Sequence, residues 1–222
     1  MNTIAQDQTP RQSRAIGVLS ILTGIASVAL LVNHPGGEAH SFADVLKNEA
    51  ANQMMDAVVH GGFIAILALQ MVVYAMFSAR LGFWRATAAA GLIFFAMGTA
   101  FLSASMVLDG LVTPAIAAKY LAAPNKLEFA KSLFALVGTL IRFLMPIGLA
   151  FQSVAIAAWG FALFISRVSR GAGIFGIFAG LAMFGALAAT AAAMNPFVLM
   201  GTIAGTATWA VIAGLVLMRT TS

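Results

Sequence analysis

The chain has 222 residues, 61% of them hydrophobic and only 9% charged, with a mean hydropathy of +0.97. So few charges cannot cover a soluble domain of this size, which excludes that class. The net charge of +5 does not indicate nucleic acid, because the basic residues are dispersed, and the lack of cysteine excludes disulfides, thiolate metal sites and covalently attached haem.

The class to expect is all-α. It is a polytopic membrane protein, a six-transmembrane-helix bundle forming a single domain over residues 1–222, with short interfacial helices in its two long extracytoplasmic loops. A transmembrane barrel would show short alternating segments instead. The polar start up to Arg14 leads into an apolar run without a cleavage site, so it reads as an uncleaved first span at about 14–32. The following spans are expected at about 58–79, 87–108, 132–165, 172–193 and 197–218.

Charge orients these spans. Arg11, Arg14, Arg80, Arg85, Arg167, Arg170 and Arg219 fall on one side, whereas Lys47, Lys119, Lys126 and Lys131 share the other with six acids. Arginine-rich flanks stay in the cytoplasm, so both termini are expected there, in a bacterial-type inner (plasma) membrane. Lipid is the expected partner, together with a second copy or another membrane subunit; nucleic acid is not.

The first long connection leads into the second span through a helix that starts near Ser41, with Asp44 three residues on as its capping-box partner. The second connection, Asp109 to Lys131, offers Thr113-Pro114 as N-cap and N1 and then a break at Pro124-Asn125. Lys119 and Tyr120 suit lipid headgroups there. Residues 74–80 (YAMFSAR) and 161–167 (FALFISR) share a pattern, so the second and third spans read as repeated in the fourth and fifth, with chance a serious competitor. Gly176/Gly180 and Gly201/Gly205 are small-residue pairs expected to pack the last two helices together. Trp84 suits an interfacial anchor, and the twelve methionines read mostly as apolar filler.

Residues 33–62 carry the chemistry. They hold all three histidines, His34, His40 and His60, and four of the seven acids, Glu38, Asp44, Glu49 and Asp56. Glu49, Gln53, Asp56 and His60 follow at helical steps of four, three and four, forming one polar face that Leu67 and Tyr74 continue inward, with Gln70 near its edge. Such a face avoids lipid and turns to the bundle interior or a vestibule. Asp56 and His60, completed by His34 and Asp109, are the candidate ligands of a divalent transition metal such as Zn, Fe, Mn or Cu. The alternative is a polar cluster without metal. Haem is not expected, because His34 sits at a helix end beside Pro35 rather than inside a span. Arg142, inside the fourth span, is expected either to pair with Asp109 or Asp56 or to clamp an anion. Pro146, four residues on, is expected to free a backbone carbonyl. Glu49, Gln53, His40, Asn33 and Asn195 complete the candidate binding residues, the two asparagines reading either as helix C-caps or as vestibule lining.

The outline resembles small six-span bacterial membrane proteins with a His-Pro-Gly sequence after the first helix, here His34-Pro35-Gly36. That resemblance carries no function. Without a nucleotide-binding loop or a hydrolase nucleophile motif, three readings stand. The first is a polar, metal-binding His/Asp/Arg pocket facing the extracytoplasmic side, which could be enzymatic. The second is a structural or accessory subunit whose cluster fastens helices. The third is a small-solute permease.

Overall fold

Two helices of 40 residues each, α2 (Phe42–Leu81) and α5 (Leu127–Ser166), form the frame. At about 1.5 Å per residue each is about 60 Å long, about twice a hydrocarbon core. The structure is a computed structural model that describes residues 10–33, 40–190 and 195–219. Every element among these residues is helical: α1 (Pro10–Val32), α2, α3 (Ala86–Val107), a π-helical turn (Leu108–Val112), α4 (Thr113–Leu121), a 3-10 turn (Pro124–Lys126), α5, α6 (Arg170–Ala189) and α7 (Pro196–Arg219). Six helices are long and apolar enough to cross a membrane, α3 with its continuation counting as one.

Ser41 caps α2 as expected. Its hydroxyl accepts from the Asp44 backbone N–H at 3.2 Å and donates to Asp44 Oδ2 at 2.7 Å. The second expected helix start fails. Thr113 is helical, continues the π turn without a break, and returns its hydroxyl to the Leu108 carbonyl at 2.9 Å. Pro114 explains this. In a regular helix its ring would clash with the carbonyl four residues earlier, and the wider π turn removes that conflict. The break at 124–126 is present.

One end of the bundle gathers arginines, and Arg80 donates to the Ser13 hydroxyl at 3.3 Å across α2 and α1. The two frame helices turn sharply there. Gly82 has φ +95°, with the Trp84 ring where a Cβ would lie, and Arg167 closes α5 at φ +61°. Both 40-residue helices thus pass through a tight turn into a shorter one. Trp84 is almost fully exposed.

Just inside the arginine end lies an aromatic core. Tyr74 stacks on Trp159 at 4.5 Å between centroids, Phe95 lies edge-on to Tyr74 at 4.5 Å, and Phe77 lies edge-on to Trp159 and Trp209. Trp159 donates its indole N–H to the Ser78 hydroxyl at 2.8 Å. Small residues bring the backbones together. Gly176 meets both Gly160 of α5 and the Trp209 ring of α7, Gly180 packs on α5 at Ser153-Ala157, Gly205 of α7 meets Met183 of α6, and Gly201 faces open space. The expected pairing of the last two helices through these glycines is therefore met at Gly176 and Gly205, whereas Gly180 serves α5 and Gly201 takes no part. α1 lies on α7, where Ser20 donates to the Ala210 carbonyl at 2.6 Å.

At the opposite end, α2 and α5 extend past the apolar length of their neighbours and α4 lies against α2. Phe42 meets Phe134 edge-on at 5.3 Å and Tyr120 meets Phe129 at 5.9 Å, which ties this cap together.

Candidate functional site

The site lies where the cap joins the apolar bundle. His60 is on α2 and 2% exposed. Its Nδ1 lies 2.9 Å from the Asp56 backbone carbonyl, and its Nε2 lies 3.2 Å from Asp109 Oδ2. A carbonyl oxygen only accepts, so Nδ1 carries a proton. A carboxylate also only accepts, so the Nε2–Oδ2 bond needs a second proton, on the imidazole or on Asp109. His60 and Asp109 together therefore hold one proton more than a neutral imidazole beside a carboxylate.

The π turn makes this bond. It carries Asp109 toward α2 and puts Gly110 directly against the imidazole, where a Cβ would overlap the ring. A widened turn at a functional site is a recurring device. Asp109 keeps a side-chain exposure of 33%, so the pair is buried at His60 and open at the carboxylate. Asp56 is buried one turn before His60.

Glu49 stands in the part of α2 that extends beyond the apolar bundle, half-buried near these groups. Burial, followed by the negative charges of Asp56 and Asp109, holds its carboxyl above the ordinary 4.5.

A cavity of about 160 Å³ opens beside the pair, lined by His60, Asp109, Met106, Met145, Leu199 and Met200. A second cavity of about 40 Å³ adjoins it. Phe63, Met106, Met145 and Ile203 line both. The polar lining of the second is Gln70, Gln152, Ser27 and Thr206. Gln70 lies ten positions beyond His60, about 15 Å along α2. Gln152 is 2% exposed, and its side-chain N–H donors have no partner among the described residues. Ser27 and Thr206 spend their protons on helix carbonyls, leaving their oxygens to accept. Beyond them the aromatic core around Tyr74 closes the way, so Tyr74 ends the path it was expected to extend.

Compared with protein-family models, curated proteins and solved structures, the chain matches none. The site is read from its own geometry.

The expected residues divide. His60, Asp109 and Asp56 come together, with Glu49 close enough to share their field. His34 lies outside the described residues. Among the described residues no three of His, Asp and Glu converge as a metal-holding set. Gln53 and His40 are exposed. Arg142, expected to be buried with an acid, lies on the exposed surface of α5 and outside the cavity lining, since its helix turns Val137 and Met145 inward. Asn33 caps α1, donating to the Ala29 carbonyl at 2.7 Å. Asn195 does not end the fifth span. Its Oδ1 accepts from the Phe197 and Val198 N–H groups at 3.0 and 3.4 Å, so it starts α7, with Pro196 in the first helical position.

Two features were missed from the sequence. Gln152, a lone amide in an apolar run, was a visible signal. The convergence of Met106, Met145 and Met200 from α3, α5 and α7 was not, because their spacing says nothing about which helices meet.

Proposed function

We propose that the chain is a multi-pass inner-membrane protein, with both termini cytoplasmic, that binds a small solute in a pocket facing the extracytoplasmic side. The observation that carries this reading is the His60–Asp109 pair at the head of a cavity that continues to the Gln152 amide nitrogen, which has no partner among the described residues. Pockets of this kind, mostly apolar with a few convergent polar groups, are the usual form of small-molecule sites. The arginine-rich end supports the orientation, because such flanks are retained in the cytoplasm. The His60–Asp109 pair gives the pocket a movable proton at its mouth, and the aromatic core around Tyr74 and Trp159 is its closed floor. Passage to the cytoplasm would require that core to open.

The chain has no cysteine of its own, so single cysteines report cleanly. Leu199→Cys, in the cavity wall, reacts with a membrane-impermeant thiol reagent added from the extracytoplasmic side, and Phe77→Cys, in the aromatic core, does not. Labelling of Leu199→Cys from the cytoplasmic side only, or from neither side, overturns the reading.

A second reading, a structural subunit whose pair only fastens α2 to the π turn, draws on the close packing of His60 on Gly110. It predicts no labelling at Leu199→Cys together with strong destabilisation by Gly110→Ala.

A further inference from the structure

Three methionines from three helices line the cavity that His60 and Asp109 head. Met106 is 7% exposed and packs in one cluster with Val59 and Phe63, against which Met145 also lies. Met200 closes the wall from α7. Met106 precedes Asp109 by three positions, which puts the thioether and the carboxylate on one side of the α3 terminus. The carbonyl of Asp56 holds the proton on His60 Nδ1, so a metal ion reaches the ring at Nε2 by displacing the proton that Nε2 shares with Asp109, and His60 lines the cavity. Fixing one imidazole nitrogen through a backbone carbonyl is how proteins orient a metal-binding histidine.

We propose that this cavity binds a monovalent soft metal ion, Cu(I), through the thioethers of Met106, Met145 and Met200 and the Nε2 of His60, with Asp109 balancing its charge. Thioether sulfur is a neutral, polarisable donor that selects Cu(I) over hard divalent ions. Charge gives the same answer. A +1 ion that takes the place of the one proton shared by His60 and Asp109, which leaves to water, keeps the charge of the site unchanged, whereas a divalent ion would add a charge at the edge of an apolar bundle, where an uncompensated charge is expensive. This donor set differs from the His34, Asp56, His60 and Asp109 set read from the sequence, because it needs the meeting of α2, α3, α5 and α7. It rests on the outward-facing pocket as the route of loading and names that pocket's solute.

The test is Cu(I) binding to the purified full chain under ascorbate, in competition with bicinchoninate, with Ag(I) as a redox-inert second probe. The expected result is one ion per chain, with sulfur neighbours in the X-ray absorption spectrum of the copper-loaded protein. Met106→Leu with Met145→Leu, a near-isosteric pair of changes, weakens binding by about tenfold or more while thermal unfolding stays close to that of the parent. Met200→Leu, at a half-exposed position, weakens it with less risk to the fold. Met54→Leu, far out on α2 and 82% exposed, leaves it unchanged. Binding no tighter than that of the double variant, displacement of Cu(I) by Zn(II), or a copper shell of oxygen and nitrogen alone overturns the proposal. Labelling of Leu199→Cys without Cu(I) binding leaves the outward pocket standing and this inference refuted. Cu(I) binding with Leu199→Cys unlabelled supports the site and refutes the outward pocket.

Discussion

His60 Nε2 and Asp109 Oδ2 stand 3.2 Å apart across 49 positions of sequence, joining α2 to a π turn at the end of α3. The bond sets the geometry of the pocket mouth and can be measured as a coupling. In a double-mutant cycle of His60→Gln and Asp109→Asn, thermal unfolding in detergent should give an interaction energy of about 1–3 kcal/mol. Additive effects would show that the two side chains do not act together.

Gly110 bears on the same bond from the other side. A methyl group there overlaps the imidazole, so Gly110→Ala must displace His60 or widen the turn. The expected cost is about 1–3 kcal/mol. Gly138→Ala, where a Cβ meets open space, is the control and should be neutral or slightly stabilising through its helix preference. Equal effects at both positions would remove the close contact from the account.

Gln152 offers a prediction of opposite sign. Its buried amide has donors without partners among the described residues, and such groups cost about 1–3 kcal/mol. Gln152→Leu should therefore raise the unfolding temperature of the ligand-free chain. A clear drop would mean that the amide is satisfied in solution.

Glu49 links stability to pH. Its carboxyl is held above 4.5 in the folded chain, first by burial and then by Asp56 and Asp109. Below 4.5 the folded and unfolded chains both keep the proton, and Glu49 carries no penalty. As pH rises past 4.5 the unfolded chain ionises first, and stability falls until the folded group ionises too. Glu49→Gln removes that loss, so it should stabilise the chain at neutral pH and have little effect in acid. The same stabilisation at both pH values would contradict the assignment.

The helices were legible because apolar length is written directly in the residues, and Ser41 with Asp44 marked the start of α2 as local capping chemistry does. The polar face at His60 was legible for the same reason, since a helical step of four places Asp56 beside it. Asp109 was named as a partner from its depth alone. Other features depended on tertiary contacts. Pro114 looked like a helix start, and only the π turn explains why the helix continues through it. Gly176 and Gly180 showed a face for close packing but not that α5 shares it with α7. Arg142 was placed by depth, and depth does not say which way a side chain turns. The three methionines are unremarkable along the chain and become a cluster only where α3, α5 and α7 meet.

The most direct measurement of the pair as one unit is the nitrogen NMR spectrum of His60, with His34 and His40 replaced by glutamine so that a single imidazole remains. The account predicts a protonated Nδ1 from mildly acidic to mildly basic pH and an Nε2 signal that shifts on Asp109→Asn. A bare Nδ1, or an Nε2 indifferent to Asp109→Asn, would contradict it.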